Sequence, residues 1–319
     1  MVIEYVLFIF GIYLLIKSSD FIVGASSTLA KKLGISTLVI GLTVVAFGTS
    51  LPELVLNIFA RSRGSSEIVF GNIIGSNIAN ILFVLGITSI VGVVKLKSST
   101  IWREIPFALL SVFVLFLLIS DALFKPGDYY IGIKEGLLFL SFFAIFLYYI
   151  YHHAQKDRSK VVLSREVKEN YNKIYLRLAV GLLGIYFGAK WVIDGAIFIS
   201  AQLGFSEFLI SATILAIGTS LPELVVSVVA VWKKNVDLAI GNIIGSNIFN
   251  ILWVLGIIPL FGKLLIPPFI FVDIAILFIA TLVLFIFIFI GKKHEIGFRE
   301  GLVFILMYIL YLGFLIVRG

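Results

Sequence analysis

The 319-residue sequence contains no cysteine, so neither a disulfide framework nor a thiolate metal site can form. Charge is scarce: Asp, Glu, Lys and Arg make up 13% of the residues, against ~25% in soluble domains. There are only three histidines, and His152, His153 and His294 fall at the ends of apolar runs, where water is expected to solvate them. No His-rich metal motif and no nucleophile–base set occurs, so nothing points to an enzyme. The first apolar stretch, Val2 to Ile16, has no basic leader and no A-x-A cleavage signal, and a retained helix is expected there. The clearly hydrophilic segment, 154–174, is too short to hold a regulatory domain of its own.

Apolar residues are abundant. They make up 61% of the chain, and mean hydropathy is +1.14. Long apolar runs recur, each of the length a helix needs to cross a bilayer, the mark of a polytopic membrane protein. The expected spans are 2–29, 37–60, 68–94, 102–120, 130–153, 175–201, 208–232, 238–262, 267–291 and 298–317. With odd spans running outside to inside, 17 Lys and Arg fall in cytoplasmic loops and 6 outside, which places both termini outside the cell. The net charge of +7 is thus read as loop bias, with no nucleic-acid partner expected. The halves 1–153 and 175–319, joined by the linker 154–174, hold five spans each. An odd number per half turns the second over relative to the first. The expected fold is therefore all-α: ten transmembrane helices as two inverted-topology five-helix repeats, with broken helices at the midplane.

Residues 37–87 and 207–257 are two copies of one block, identical without gaps at 27 of 51 positions. The shared residues include G-T-S-L-P-E (Gly48 to Glu53, Gly218 to Glu223) and G-N-I-I-G-S-N-I-x-N (Gly71 to Asn80, Gly241 to Asn250). Polar groups in hydrocarbon are costly, and an intramembrane carboxylate is functional by default. Pro52 removes a backbone donor and Gly48 weakens the same turn, so the helix should break there, with Thr49 or Ser50 capping its second half. The break frees carbonyls from Ala46 to Thr49 and sets Glu53 beside a helix N-terminus. Carbonyls, hydroxyls and carboxylates are hard ligands that suit Na⁺ and Ca²⁺. Asn72, Ser76 and Asn80 recur every four residues as one polar stripe, while Gly71 and Gly75 permit close helix approach; Asn242, Ser246, Asn250, Gly241 and Gly245 repeat the pattern. Lys17 with Asp20, and Lys190 with Asp194, read as interfacial or intrahelical pairs.

In these two motifs the chain resembles the sodium/calcium exchanger branch of the calcium/cation antiporter superfamily, in the prokaryotic form without a regulatory domain. The resemblance implies that Glu53 and Glu223 bind Ca²⁺ and Na⁺ in alternation, with Thr49 and Thr219 giving carbonyl oxygens to Ca²⁺. Ser50, Ser76, Ala46, Ser220, Ser246 and Ala216 would complete flanking Na⁺ sites, and Asn80 and Asn250 would line the centre. It also implies that spans one and six slide across the other eight to alternate access. Many relatives, including the potassium-dependent ones, carry aspartate at the position of Asn250, and the proton-coupled branch reads G-N-x-x-E in place of G-T-S-L-P-E. Both departures favour Na⁺/Ca²⁺ exchange, with a Ca²⁺/H⁺ antiporter as the nearest rival and a cation channel as the rival of another class. Ca²⁺, Na⁺ and the lipid bilayer are the expected partners, a monomer is compatible with the sequence, and no cofactor is implied.

Overall fold

The computed structural model describes residues 2–121, 129–158, 169–202, 216–267, 270–290 and 294–318. Ten helical elements follow one another: α1 (Val2–Leu33), α2 (Thr37–Ser62), α3 (Ser66–Val91), α4 (Thr100–Ile119), α5 (Ile133–Arg158), α6 (Tyr171–Gln202), α7 (Leu221–Trp232), α8 (Val236–Phe261), α9 (Ile270–Phe287) and α10 (Phe298–Arg318). Among the described residues, nine of these are long and apolar enough to cross a membrane. The other is α7, with 12 residues. The first part of the expected span 208–232 lies outside the described residues, and the single turn Ala216–Gly218 precedes α7. A bilayer requires backbone groups to pair within each segment, which helices achieve unaided. α1 and α6 have 32 residues each, ~48 Å of helix against a hydrocarbon core of ~30 Å, so they must tilt.

Small residues and polar contacts decide how these helices meet. Along α1 and α6, Tyr5 meets Phe198, Phe10 meets Trp191 and Lys32 reaches the Glu169 carbonyl. Partner numbers fall as α1 numbers rise, so the two helices run antiparallel. A Cβ on Gly11 would sit 2.9 Å from the Gly188 carbonyl oxygen, and one on Gly188 would sit 3.0 Å from that of Gly11. Gly86 of α3 meets Gly301 of α10 in the same way, and Gly136 of α5 meets Gly256 of α8. The Gly241 and Gly245 pair packs as its spacing predicts: added Cβ atoms would lie 2.6 Å from the Leu38 carbonyl oxygen and 2.7 Å from the Ala46 Cβ. Gly71 and Gly75 meet no such neighbour among the described residues.

Among the described residues, four two-residue strands tie the loops together: β1 (Val94–Lys95), β2 (Tyr130–Ile131), β3 (Leu264–Leu265) and β4 (Glu295–Ile296). β1 pairs antiparallel with β4, and β2 with β3. Across the first clasp Lys95 and Glu295 stand opposite each other, 2.8 Å apart, and the carboxylate holds the lysine ammonium above its ordinary titration range by hydrogen bond and charge. Lys97 pairs with Asp237 at the same end of the molecule. At the other end the Leu265 N–H donates to the Ser66 hydroxyl and Ile266 N–H to the Tyr129 carbonyl. The loops thus gather into two sets, a basic end holding β1 and β4 and an opposite end holding β2 and β3.

Two expectations about charged side chains need correction. Asp20 pairs with Lys233 at 2.8 Å, not with Lys17, whose ammonium lies over the Tyr13 ring, because α7 ends beside α1 and brings a cation to it. Lys190 and Asp194 are both exposed and, among the described residues, form no ion pair with each other. His153 is half-buried and stacked on Tyr149, whose hydroxyl donates to the buried Glu104, so it is less solvated than its place at a helix end suggests.

Candidate functional site

Both G-T-S-L-P-E motifs interrupt their helices, the first at Ser50 alone and the second at Thr219 and Ser220. α2 is helical to Thr49, leaves helical geometry at Ser50 (φ −88°, ψ 3°), and resumes at Leu51 with Pro52 in the first turn. Ser220 (φ −89°, ψ 4°) repeats this before Leu221 and Pro222. Proline cannot supply the N–H that Gly48 or Gly218 would otherwise receive, which localises the break. Ser50 and Ser220 occupy the N-cap positions, but neither side chain accepts a bond from its helix. The capping expected of Thr49 or Ser50 is therefore replaced: the Ser50 hydroxyl donates across the molecule to Glu223 Oε1 at 3.3 Å.

Glu223 also accepts from Ser246 at 3.2 Å, so two hydroxyls hold Oε1 while Oε2 has no partner among the described residues. Glu53, one turn beyond the first break, is fully buried and, among the described residues, has no partner at either oxygen. Thr49 stands at the last helical turn before the break; its hydroxyl lies 3.0 Å from Asn242 Oδ1 and 3.1 Å from the Val45 carbonyl. Thr219 and Ser76 face one another, hydroxyl to hydroxyl, at 3.3 Å. Ala46 is buried and its carbonyl accepts from the Ser50 N–H at 3.0 Å; Ala216 opens the turn before α7, and its side chain lies outside the described residues. Ser220 is buried with its hydroxyl unpartnered.

The second motif forms the facing wall. Asn242 is fixed by donation to the Glu223 carbonyl at 3.4 Å and the Ser227 hydroxyl at 3.1 Å, while Asn72 is half-buried with Nδ2 unpartnered. Asn80 and Asn250 are fully buried, and each begins or adjoins a π-helical turn, Asn80–Val84 and Phe249–Val254. Such turns recur at functional sites because they rotate a side chain out of register. Asn77 and Asn247, which the four-residue stripe passes over, turn out to join the two halves: each Nδ2 donates to the other's carbonyl at 3.3 Å. Their three-residue spacing to Asn80 and Asn250 was the available signal. A cavity of about 300 Å³, lined among others by Pro52, Phe59, Lys190, Thr219 and Pro222, approaches from between α2, α6 and α7.

Among the described residues, six buried oxygens here lack any partner: both of Glu53, Oε2 of Glu223, Oδ1 of Asn80 and Asn250, and the Ser220 hydroxyl. Buried acceptors go unpaired only at a cost, and two carboxylates near each other add repulsion. A hard cation relieves both. Among the described residues no group of three or more His, Cys, Asp or Glu could hold a softer metal.

The family model described as sodium/calcium exchanger protein matches residues 3–152 and 173–317. The putative antiporter CaxA of Alkalimonas amylolytica is 36% identical over 313 residues, 94% of this chain and 95% of that protein. The sodium/calcium exchanger MaX1 of Methanosarcina acetivorans is 32% identical over 344 residues, 97% of each chain. A solved structure of the sodium-calcium exchanger NCX_Mj, soaked with Na⁺ and Ca²⁺, superposes with a TM-score of 0.82 at 32% identity and covers 98% of both chains.

Proposed function

This chain belongs to the sodium/calcium exchanger family and is a multi-pass membrane antiporter of Na⁺ and Ca²⁺, and from that premise we propose that Glu53 and Glu223 are the carboxylates both ions share. The observation that carries this reading is the set of unpartnered buried oxygens centred on those two side chains. Thr49, Thr219, Ser50, Ser220, Ser76, Ser246, Ala46, Ala216, Asn80 and Asn250 supply the surrounding neutral oxygens. Two carboxylates carry two negative charges, which one Ca²⁺ neutralises. Three Na⁺ on the same oxygens leave the site one positive charge richer, so exchange at that ratio is electrogenic and gains ~2.3 kcal/mol per 100 mV for each net charge. The direction we infer is Ca²⁺ extrusion driven by inward Na⁺.

The architecture we infer is ten transmembrane helices in two inverted five-helix halves, 1–153 and 175–319, with both termini outside. Three observations support it. α1 and α6 run antiparallel. Loops assigned to one side by their charge are the loops that touch, β1 with β4 and β2 with β3. The two matched stretches of the family model also divide near the same linker.

The test is reconstitution in vesicles loaded with Na⁺, K⁺ or buffered H⁺, following radiolabelled Ca²⁺ uptake. Uptake should require the Na⁺ gradient, and Glu53→Gln or Glu223→Gln should abolish it while the protein elutes as a folded monodisperse species. Na⁺-driven flux retained in either variant would overturn the site; uptake driven by H⁺ alone would overturn the choice of counter-ion.

A further inference from the structure

Four asparagines close a ring between the two halves. Asn77 Nδ2 donates to the Asn247 carbonyl and Asn247 Nδ2 to the Asn77 carbonyl, both at 3.3 Å. Asn80 Nδ2 donates to Asn247 Oδ1 at 3.0 Å, and Asn250 Nδ2 to Asn77 Oδ1 at 3.2 Å. Asn77, Asn80 and Asn250 are fully buried and Asn247 nearly so.

The orientation of each carboxamide follows from donor–acceptor chemistry alone. A backbone carbonyl only accepts, so the atom of Asn77 or Asn247 that faces it must be nitrogen. The oxygen of that same side chain then faces Asn250 or Asn80. An amide oxygen also only accepts, so Asn250 and Asn80 must turn their nitrogens toward it. This leaves Oδ1 of Asn80 and of Asn250 pointing away from the ring, buried and without a partner among the described residues. Reversing either outer amide would set oxygen against oxygen in the ring and a donor toward the bound cation.

We propose that Asn77 and Asn247 are positioning residues that lock the Asn80 and Asn250 carboxamides with their oxygens, never their nitrogens, presented to the transported cation. The inference rests on the reading that Asn80 and Asn250 line the ion site. Residues that orient the ligands of a metal influence its binding almost as strongly as the ligands do, and their loss typically lowers affinity ~10–100-fold. Asn77 and Asn247 touch no ion themselves.

Na⁺-dependent Ca²⁺ uptake in vesicles, with the KM for Ca²⁺ and the maximal rate measured separately, tests this. Asn77→Leu keeps side-chain size and removes both the donor and the acceptor; the KM should rise ~10–100-fold with the maximal rate little changed. Asn77→Asp, whose protonated carboxyl can still donate to the Asn247 carbonyl and accept from Asn250, should hold the KM near that of the parent. Asn77→Ala serves if the leucine variant does not elute as a folded species. An unchanged KM in the leucine or alanine variant, or the same rise in the aspartate variant as in the leucine one, would overturn the positioning role and leave a packing role only. Asn250→Ala is the separate arm. If it leaves the KM unchanged, the placement of Asn250 at the ion fails; if it raises the KM while Asn77→Leu does not, positioning alone fails.

Discussion

Glu53 and Glu223 share a burial but not an environment. Glu223 has one oxygen tied down by Ser50 and Ser246, whereas Glu53 has neither. In the proposed site a bound cation therefore stabilises the protein most through Glu53, whose two oxygens otherwise find no partner among the described residues. Ca²⁺ at ~100 times its dissociation constant should raise stability by ~2.7 kcal/mol, read as a higher Tm in detergent. Glu53→Gln should melt at or above the parent without Ca²⁺, because a buried carboxyl with no partner among the described residues is replaced by an amide that cannot ionise, and should show no Ca²⁺-dependent rise; a rise equal to the parent's would contradict the assignment. At this scale the acids, hydroxyls and outer asparagines were legible in the sequence, since polar residues that recur in two copies of an apolar block point to one shared task. The roles of Asn77 and Asn247 were not legible. Each finds its partner in the other half of the chain, and the meeting depends on which way both helices are turned.

Helix positions could be read from apolar runs, but only some of their internal faults could. Proline and glycine announced the breaks at Ser50 and Ser220; nothing announced the π-helical turns at Gly41–Val45, Asn80–Val84, Thr100–Glu104 and Phe249–Val254, which tertiary packing sets. Glycine contacts between helices are one part of that packing. A Cβ on Gly301 would stand 2.7 Å from the Gly86 carbonyl oxygen, a backbone atom that cannot step aside, whereas one on Gly313 meets nothing within 4 Å. Gly301→Ala should lower stability by ~1–3 kcal/mol, and Gly313→Ala should leave it unchanged or raise it by up to ~1 kcal/mol, both read from thermal melts. A second part is ionic. At the basic end α1 and α7 are joined by Asp20–Lys233 and by Asn235 donating to Ser27, both at 2.8 Å. In the register of the repeat, Asp20 corresponds to Lys190 and Lys233 to Arg63, two cations that cannot attract. Lys233→Gln should widen the α1–α7 spin-label distance distribution at this end, and exchanging the charges (Asp20→Lys with Lys233→Asp) should narrow it again. The pair is partly exposed, so the shift in population is modest, at most about five-fold.

Across the whole molecule, the absence of cysteine leaves a silent background for labelling. Single cysteines at Lys97, beside β1, and at Lys263, beside β3, should react with an impermeant maleimide from opposite faces of a cell, Lys263 from outside; labelling of both from one side would refute the inverted arrangement. The charge count could anticipate the two ends because loops keep their sign wherever the helices pack. It could not anticipate that each strand would find its mate in the other half. That exchange has a consequence during synthesis. β1 leaves the ribosome long before its mate β4, and Gly86 must wait still longer for Gly301. At ~5–20 residues per second, the first half resides in the bilayer for ~10–40 s with its polar wall, its strand edge and its glycine grooves all unmatched. During that interval it is a substrate for whatever in the cell shelters incomplete membrane proteins.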